Sequence, residues 1–182
     1  MVTTLRTAPR ILTSLSALAL SIGALTGCTP EPEPTPTPTA AFASEEEAFT
    51  AAEEVYREYT DAVNEERAGD TNADPLSFLV GAALDGSLDT SNKLQAQGIH
   101  IVGDSDVLSF AGQVLEIHER EATIRAHICL DVSATSVIDS SGSDVTPGDR
   151  PGVIPLDVTF ISSASGLLIS GSDLAEETVC QP

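Results

Sequence analysis

Proline stands at every second position from Pro30 to Pro38, in the stretch TPEPEPTPTPT. Proline lacks a backbone N–H and has a fixed φ, so this ladder excludes helix and internal strand and favours polyproline II. Residues 29–43 would then reach about 45 Å at about 3.1 Å per residue. The stretch lacks the basic flank of ligands for proline-recognition domains. It therefore predicts a stiff spacer, which leaves the chain from Ser44 onward to form the folded domain.

The segment before the ladder has the pattern of an export signal. Arg6 and Arg10 are the only charged residues before Ile11, and residues 11–25 are apolar or small. A positive start followed by an apolar run of this length is typical of a secretory signal. The run is shorter than the roughly 18 apolar residues of a membrane-spanning helix. We therefore predict a signal peptide at residues 1–27.

The signal ends in Leu25-Thr26-Gly27-Cys28. These residues resemble the lipobox of bacterial lipoproteins, [LVI]-[AST]-[AG]-C, at all four positions, and the Ala- and Thr-rich, Lys-poor composition suggests an actinobacterial source. The resemblance implies cleavage before Cys28 and a diacylglyceryl group on its thiol. Two acyl chains hold a protein stably on a membrane, so the expected location is the extracytoplasmic face of the cell membrane. The alternative is an ordinary signal peptide with an accidental cysteine.

Charge excludes one class of partner. The formal net charge is −20, and cleavage after Gly27 would leave six basic against 28 acidic residues, or −22. Nucleic-acid binding needs a basic patch that contacts phosphates, so we expect no nucleic-acid partner. Such acidity is typical of a well-solvated surface. Residues 28–43 then form the lipidated cysteine and stalk, and residues 44–182 suit one globular domain.

Two cysteines remain for that domain, Cys129 and Cys180. An even pair in an exported chain most simply forms a disulfide. The 51-residue separation would make the bond worth about 4 kcal/mol on the chain-entropy model. Two free thiols or half of a metal site are the alternatives, but neither a CxxC motif nor a histidine cluster accompanies the pair.

The domain opens with a helical pattern. Ser44 and Glu47 form a capping box, and the three glutamates from Glu45 favour the positive end of a helix dipole. Apolar residues then recur at three- and four-residue spacing: Phe49, Ala52, Tyr56, Tyr59 and Val63. We predict a first helix to about Ala68. Two short helices should follow, at residues 75–86 after the Asp74 cap and at residues 90–97 before Gly98.

Strand patterns follow Gly98. We predict one long strand over residues 99–118, broken at 103–106 and kinked at Gly112, and further strands at 122–138, 153–162 and 167–172. Side chains alternate between the two faces of a strand, so every second residue of these strands should point to the same side of the sheet. The inward set is Ile124, Ile128, Leu130, Ile154, Leu156, Val158 and Phe160, and the outward set includes His127, Cys129, Asp131 and Asp157. Because Cys129 points outward, its partner should cross the outer face of the sheet.

Helices followed by an antiparallel meander predict an α+β fold, with the helices on one face of a curved sheet of about four strands. This order over residues 44–182 resembles the nuclear transport factor 2-like (NTF2-like) cone, and several small exported actinobacterial lipoproteins with Pro/Thr stalks look similar. The resemblance carries no specific motif. It implies a concave face where relatives hold small apolar ligands or run isomerase chemistry. A cystatin-like fold and another two-layer α+β sandwich are the alternatives.

Tyr56 and Tyr59 are the polar residues best placed to face such a pocket. No carboxylate or histidine shares the inward face, so we expect no enzyme activity and no cofactor. Metal binding is also not expected: residues 70–74 start like a calcium loop but lack its glycine and final glutamate, and the spacing of His100, His118 and His127 does not suit a metal. Two functions remain: a lipoprotein that binds an envelope partner, or a carrier or sensor of a small apolar ligand.

Overall fold

The computed structural model describes residues 42–118, 121–164 and 166–180. The predicted signal, Cys28 and most of the stalk lie outside these residues. Within them the chain is α+β. Its elements are α1 (Glu45–Arg67), a 3-10 turn (Pro75–Phe78), α2 (Gly81–Gln97), β1 (His100–Val102), β2 (Asp106–His118), β3 (Glu121–Asp131), β4 (Ser136–Ile138), β5 (Val153–Ser163), β6 (Gly166–Leu174) and a C-terminal 3-10 turn (Glu177–Cys180). Of the helices in this described part, none has the length and apolar character to cross a membrane.

Helix α1 begins as the capping pattern predicts. The Ser44 hydroxyl oxygen accepts from the Glu47 N–H at 3.1 Å, and the Glu47 carboxylate accepts from the Ala43 N–H at 2.8 Å. Glu47 thus closes the box one residue earlier than in the standard motif, where it would bond to the cap residue itself. The buried stripe consists of residues four apart: Ala48, Ala52, Tyr56 and Thr60.

The prediction of two short helices after α1 is wrong. Residues 81–97 form one 17-residue helix that passes through Gly86. A helical glycine costs about 1 kcal/mol relative to alanine, which is too little to end a helix by itself. The break lies instead at Leu79 and Val80, which are extended. Leu79 bridges to Ile169, and the Val80 N–H donates to the Ile169 carbonyl oxygen at 2.9 Å.

The strands form an antiparallel four-stranded sheet in the order β2-β3-β5-β6 and a separate β1-β4 pair. Two strand predictions are therefore corrected. Strand β1 is not the beginning of β2, since it pairs with β4. The predicted strand at 122–138 is two strands, because the chain turns at residues 132–135. The kink predicted at Gly112 is present as a register shift between Gly112 and Val114.

Arg150 stabilises the turn that separates β3 from β4. Its guanidinium donates to the Thr135 hydroxyl at 2.8 Å and to the carbonyl oxygens of Val132 and Thr135 at 2.9 and 2.7 Å. The turn contains neither glycine nor proline. Arg150 lies 15 residues from Thr135 and 18 from Val132 in the sequence, so local patterns do not reveal its contribution to this turn.

The core lies between α1 and the inner face of the four-stranded sheet. Ile124, Ile128, Val158 and Phe160 are buried there, as the alternation predicts. Leu130, Ile154 and Leu156 are only half-buried, because they lie toward an open end of the layer. Near the start of α1, the Phe49 ring lies directly against β2, where a Cβ on Gly112 would stand 2.3 Å from it. The space between helix and sheet is therefore largely filled by side chains.

The two edge strands of the sheet, β2 and β6, are interrupted in different ways. Strand β2 carries a second register shift, between Val107 and Ser109, in addition to the shift after Gly112. Such bulges bend a strand and interrupt its ladder. At the other edge, β6 is approached by the extended Leu79–Val80 segment. Strand β6 also shifts register against β5, between Thr159 and Phe160.

Candidate functional site

A cleft of about 200 Å³ opens between the C-terminal half of α1, the start of α2 and the sheet. It lies at the end of the core where inner-face side chains are only half-buried. Its apolar lining consists of Val63, Leu79, Ala83, Leu130, Leu156 and Ile169, and its polar lining of Tyr56, Tyr59, Thr60, Arg67, Ser105 and Ser172.

Both predicted ligand residues, Tyr56 and Tyr59, line this cleft. They lie one helical turn apart on α1, with ring centroids 5.8 Å apart. Tyr56 is 3% exposed and packs edge-on against Phe160 at 6.4 Å, and Tyr59 packs against Phe78 at 6.3 Å. Both rings of this cleft wall therefore pack against aromatic neighbours.

The environment keeps both phenols protonated. Burial raises the pKa of Tyr56, and Tyr59 raises it further. Burial also raises the pKa of Tyr59, against a smaller lowering effect from the positive charge of Arg67. A neutral phenol keeps its O–H donor at physiological pH.

Neither phenol oxygen has a hydrogen-bond partner among the described residues. Every fully buried side-chain nitrogen or oxygen in that part of the chain does have one. The Tyr56 oxygen is therefore not sealed in the core, although 97% of its residue surface is buried. Because Tyr56 lines the cleft, its phenol is a candidate donor to a ligand there.

Arg67 belongs to the site although sequence reasoning missed it. It lies eleven residues, or about three turns, after Tyr56 on the same helix face, and that spacing was the available signal. Its Nη1 donates to the Ser105 hydroxyl oxygen at 3.2 Å. Burial lowers its pKa, while Tyr59, Asp104 and Glu66 act in the opposite direction. No carboxylate of the described residues lies within 4.0 Å of its guanidinium.

Ser105 is held in place by the same helix. The Asn64 side chain bonds to both its backbone N–H and its carbonyl oxygen. Ser105 is 3% exposed. The sequence offered no local sign of this contact, because Asn64 and Ser105 are 41 residues apart.

The outer face of the sheet carries the disulfide. Cys129 and Cys180 are bonded with their Cα atoms 5.6 Å apart, and the C-terminal turn packs on β3 and β5, as the outward position of Cys129 predicts. His127 and Asp157 also lie on this face, with the His127 Nε2 atom 2.9 Å from the Asp157 Oδ1 atom. A shallow depression beside them has exposed charged side chains on its wall, Arg125 and Asp173 among them.

Other sequence candidates for metal binding stay apart. Within residues 42–118, 121–164 and 166–180, no three His, Cys, Asp or Glu side chains come together as a metal site requires. The calcium-loop-like stretch forms a turn in which the Asp70 carboxylate accepts from the backbone and side chain of Asn72.

Comparison with known proteins shows similarity of fold to a solved structure and no sequence match. No protein-family model and no curated protein sequence matches the chain. Among solved structures, the chain is similar to the crystal structure of the intermembrane space region of chloroplast protein ARC6, with a TM-score of 0.50 and 17% sequence identity. The match covers 70% of this chain and 97% of that one. Identity this low shows the fold alone, so function must be argued from the residues of this chain.

Proposed function

We propose that this protein is a lipoprotein anchored to the extracytoplasmic face of the cell membrane, whose folded domain is a non-enzymatic module that binds another component of the cell envelope. The lipobox Leu25–Cys28 carries this proposal. The Cys129–Cys180 disulfide supports it, because structural disulfides persist in oxidising compartments outside the cytoplasm. The proline spacer would hold the domain clear of the lipid surface.

We also propose that the α+β fold is an NTF2-like cone. Helix α1 packs on the inner face of the four-stranded sheet. The register shifts in β2 and β6 support this proposal, because bulges of this kind bend strands. Its interior is mostly occupied by large side chains, Phe160, Ile124 and Ile128 among them. The remaining 200 Å³ is smaller than the roughly 300–1,000 Å³ of typical small-molecule pockets. The interaction module is therefore the first proposal, and a carrier or sensor of a small apolar ligand is the second.

The anchor is tested by replacing Cys28 with Ser and Thr29 with Ser in separate variants. The Cys28→Ser protein should be released from membranes or keep its signal peptide, because the acceptor of the lipid is gone. The Thr29→Ser control leaves the four lipobox residues intact and should fractionate like the parent chain. Cell fractionation and mass spectrometry of the N-terminus measure both. A Cys28→Ser protein found in membranes in mature, cleaved form would show that the lipobox interpretation is wrong.

A second candidate function is binding of a small ligand in the cleft, as a carrier or sensor. One observation favours it: the nine-tenths-buried Tyr56 presents an unpartnered phenol to a cleft that Arg67 also lines. This function needs no lipid, so it is tested separately from the anchor.

A further inference from the structure

We propose that the cleft binds a small monocarboxylic acid in its ionised form, with the carboxylate at Arg67 and the two phenols and the apolar body against Leu79, Leu156 and Ile169. The inference rests on the second candidate function and names the class of its ligand. It does not depend on the membrane anchor.

The polar groups of the cleft form a set of donors for an anion. A guanidinium has five N–H donors in a planar fork, and the Ser105 hydroxyl occupies one nitrogen of Arg67. The phenols of Tyr56 and Tyr59 add two O–H donors without partners among the described residues. Arg67, Tyr56 and Tyr59 all line this one cleft, and the two tyrosine ring centroids are 5.8 Å apart. A carboxylate accepts from a guanidinium fork and phenols together.

The charge of Arg67 favours an anion over a neutral polar ligand. Its guanidinium is partly desolvated and makes no ion pair within the described part of the chain. A charge in such a position interacts more strongly with a contacting anion than it would in water. Asp104 and Glu66 are close enough to interact with Arg67 electrostatically. Their negative charges should weaken the binding of an anionic ligand, but neither carboxylate occupies the guanidinium.

The dimensions of the cleft limit the body of the acid. One water molecule takes up about 30 Å³ in the liquid. The cleft volume of about 200 Å³ therefore corresponds to about seven groups of that size. Leu79, Leu156 and Ile169 line it with aliphatic surface. Short straight-chain acids fit this volume, whereas the tail of a membrane fatty acid does not.

The experiment compares hexanoate with hexanamide, which has the same shape and no charge. The full-length protein has two tyrosines and no tryptophan, and both tyrosines line the cleft. Intrinsic tyrosine fluorescence therefore reports on this site, and neither probe absorbs in its range. The titration is made at about 0.15 M salt, where the Debye length is about 8 Å and distant acidic residues are screened. We expect saturable binding of hexanoate at least about tenfold tighter than that of hexanamide, since hydrogen bonds to a charged group are stronger.

Two variants separate Arg67 from the general charge of the chain. Arg67→Gln removes the guanidinium and should bring the acid and the amide to equal affinity. Arg57→Gln removes the same charge from the same helix outside the cleft, where Arg57 pairs with Glu53 at 2.7 Å, and should keep the acid preference. Circular dichroism checks that both are folded.

Equal affinity of acid and amide for the parent protein would overturn the proposal, and so would an unchanged preference in Arg67→Gln. The first comparison needs no variant, so it decides the question even if Arg67→Gln does not fold. Either failure would leave the anchoring proposal intact, because that proposal is measured by fractionation of cells.

Discussion

The side chain of Asn64 binds the backbone of Ser105 in the manner of a neighbouring strand. Its amide nitrogen donates to the Ser105 carbonyl oxygen at 2.9 Å, and its amide oxygen accepts from the Ser105 N–H at 3.0 Å and from the hydroxyl at 3.2 Å. The same hydroxyl oxygen accepts from Arg67. One helical turn thus fixes both the segment before β2 and the guanidinium of the cleft.

Asn64→Ala should lower the free energy of unfolding by about 1–3 kcal/mol, because it leaves the nearly buried N–H and carbonyl of Ser105 without partners. Chemical denaturation measures the change. Glu65→Ala, at the neighbouring exposed position, is the matched control and should stay within about 0.5 kcal/mol of the parent. An Asn64→Ala protein as stable as this control would mean that Ser105 finds other partners.

Gly112→Ala should destabilise the packing of α1 on β2. The new methyl would stand 2.3 Å from the Phe49 ring, so the ring or the helix must move, at a cost of about 1–3 kcal/mol. Thermal or chemical denaturation measures the loss. In a Phe49→Leu background the penalty should shrink, because the flat ring is gone.

Gly86→Ala is the control for that substitution. Gly86 lies inside α2, and a Cβ there would meet nothing within 4 Å. The same glycine-to-alanine change should therefore stabilise the protein by up to about 1 kcal/mol. Opposite signs for the two variants are the expected result, and a loss of stability in both would contradict the packing argument for Gly112.

Removing the disulfide should release the C-terminal turn and leave the core folded. The bond joins residues 51 positions apart, which corresponds to about 4 kcal/mol on the chain-entropy model. Hydrogen exchange in the Cys129→Ser/Cys180→Ser double variant should become faster over residues 177–180, while amides of β3 and β5 stay protected. A reducing agent should lower the Tm of the parent and have no effect on the double variant. Equal sensitivity of the two proteins would contradict this assignment.

Stability should fall as the pH rises above about 10, the ordinary pKa of tyrosine. The folded state raises the pKa of both Tyr56 and Tyr59. Above pH 10 the unfolded chain therefore loses phenolic protons that the folded chain still holds, and ionisation favours unfolding. Below pH 10 both tyrosines are protonated in the folded and unfolded states, so their full contribution to stability is present. Absorbance at alkaline pH reports on these two residues alone, since the chain has no other tyrosine.

Tyr56→Phe and Tyr59→Phe should each reduce that alkaline loss of stability. At neutral pH, Tyr56→Phe should change stability by less than about 0.5 kcal/mol, because its hydroxyl makes no hydrogen bond within the described residues. Ionisation of both tyrosines at an ordinary pKa in the folded protein would show that the cleft is far more open to water than its geometry indicates.

Local patterns predicted the elements whose determinants are close in sequence. The Ser44–Glu47 cap and the stripe through Tyr56 are features of one helix, and the alternation around Ile124 is a feature of one strand, so both could be identified without a structure. Tyr56 and Tyr59, which the resemblance to the cone fold singled out, line the cleft. The strand alternation also placed Cys129 on the face that the C-terminal segment crosses.

Contacts between distant residues account for what the sequence could not predict. The helix boundary at Val80 depends on a hydrogen bond to Ile169, and the end of β3 depends on Arg150. The prediction of a helix end at residue 86 follows the usual role of glycine, but α2 continues through Gly86. The spacing of Arg67 from Tyr56 places it on the cleft side of α1, but its contact with Ser105 joins residues 38 positions apart and has no local signal.

The bulges of β2 and the extended segment beside β6 interrupt the two outer edges of the four-stranded sheet. An outer strand offers unpaired N–H and C=O groups as a template on which another chain can add a strand, and such edges drive aggregation. The register shifts at Val107 and Gly112 interrupt that template on β2, and the Val80 N–H occupies the Ile169 carbonyl oxygen at the edge of β6. The sheet thus limits its own growth on both sides. Each interruption removes hydrogen-bonding positions that a strand from another chain would need.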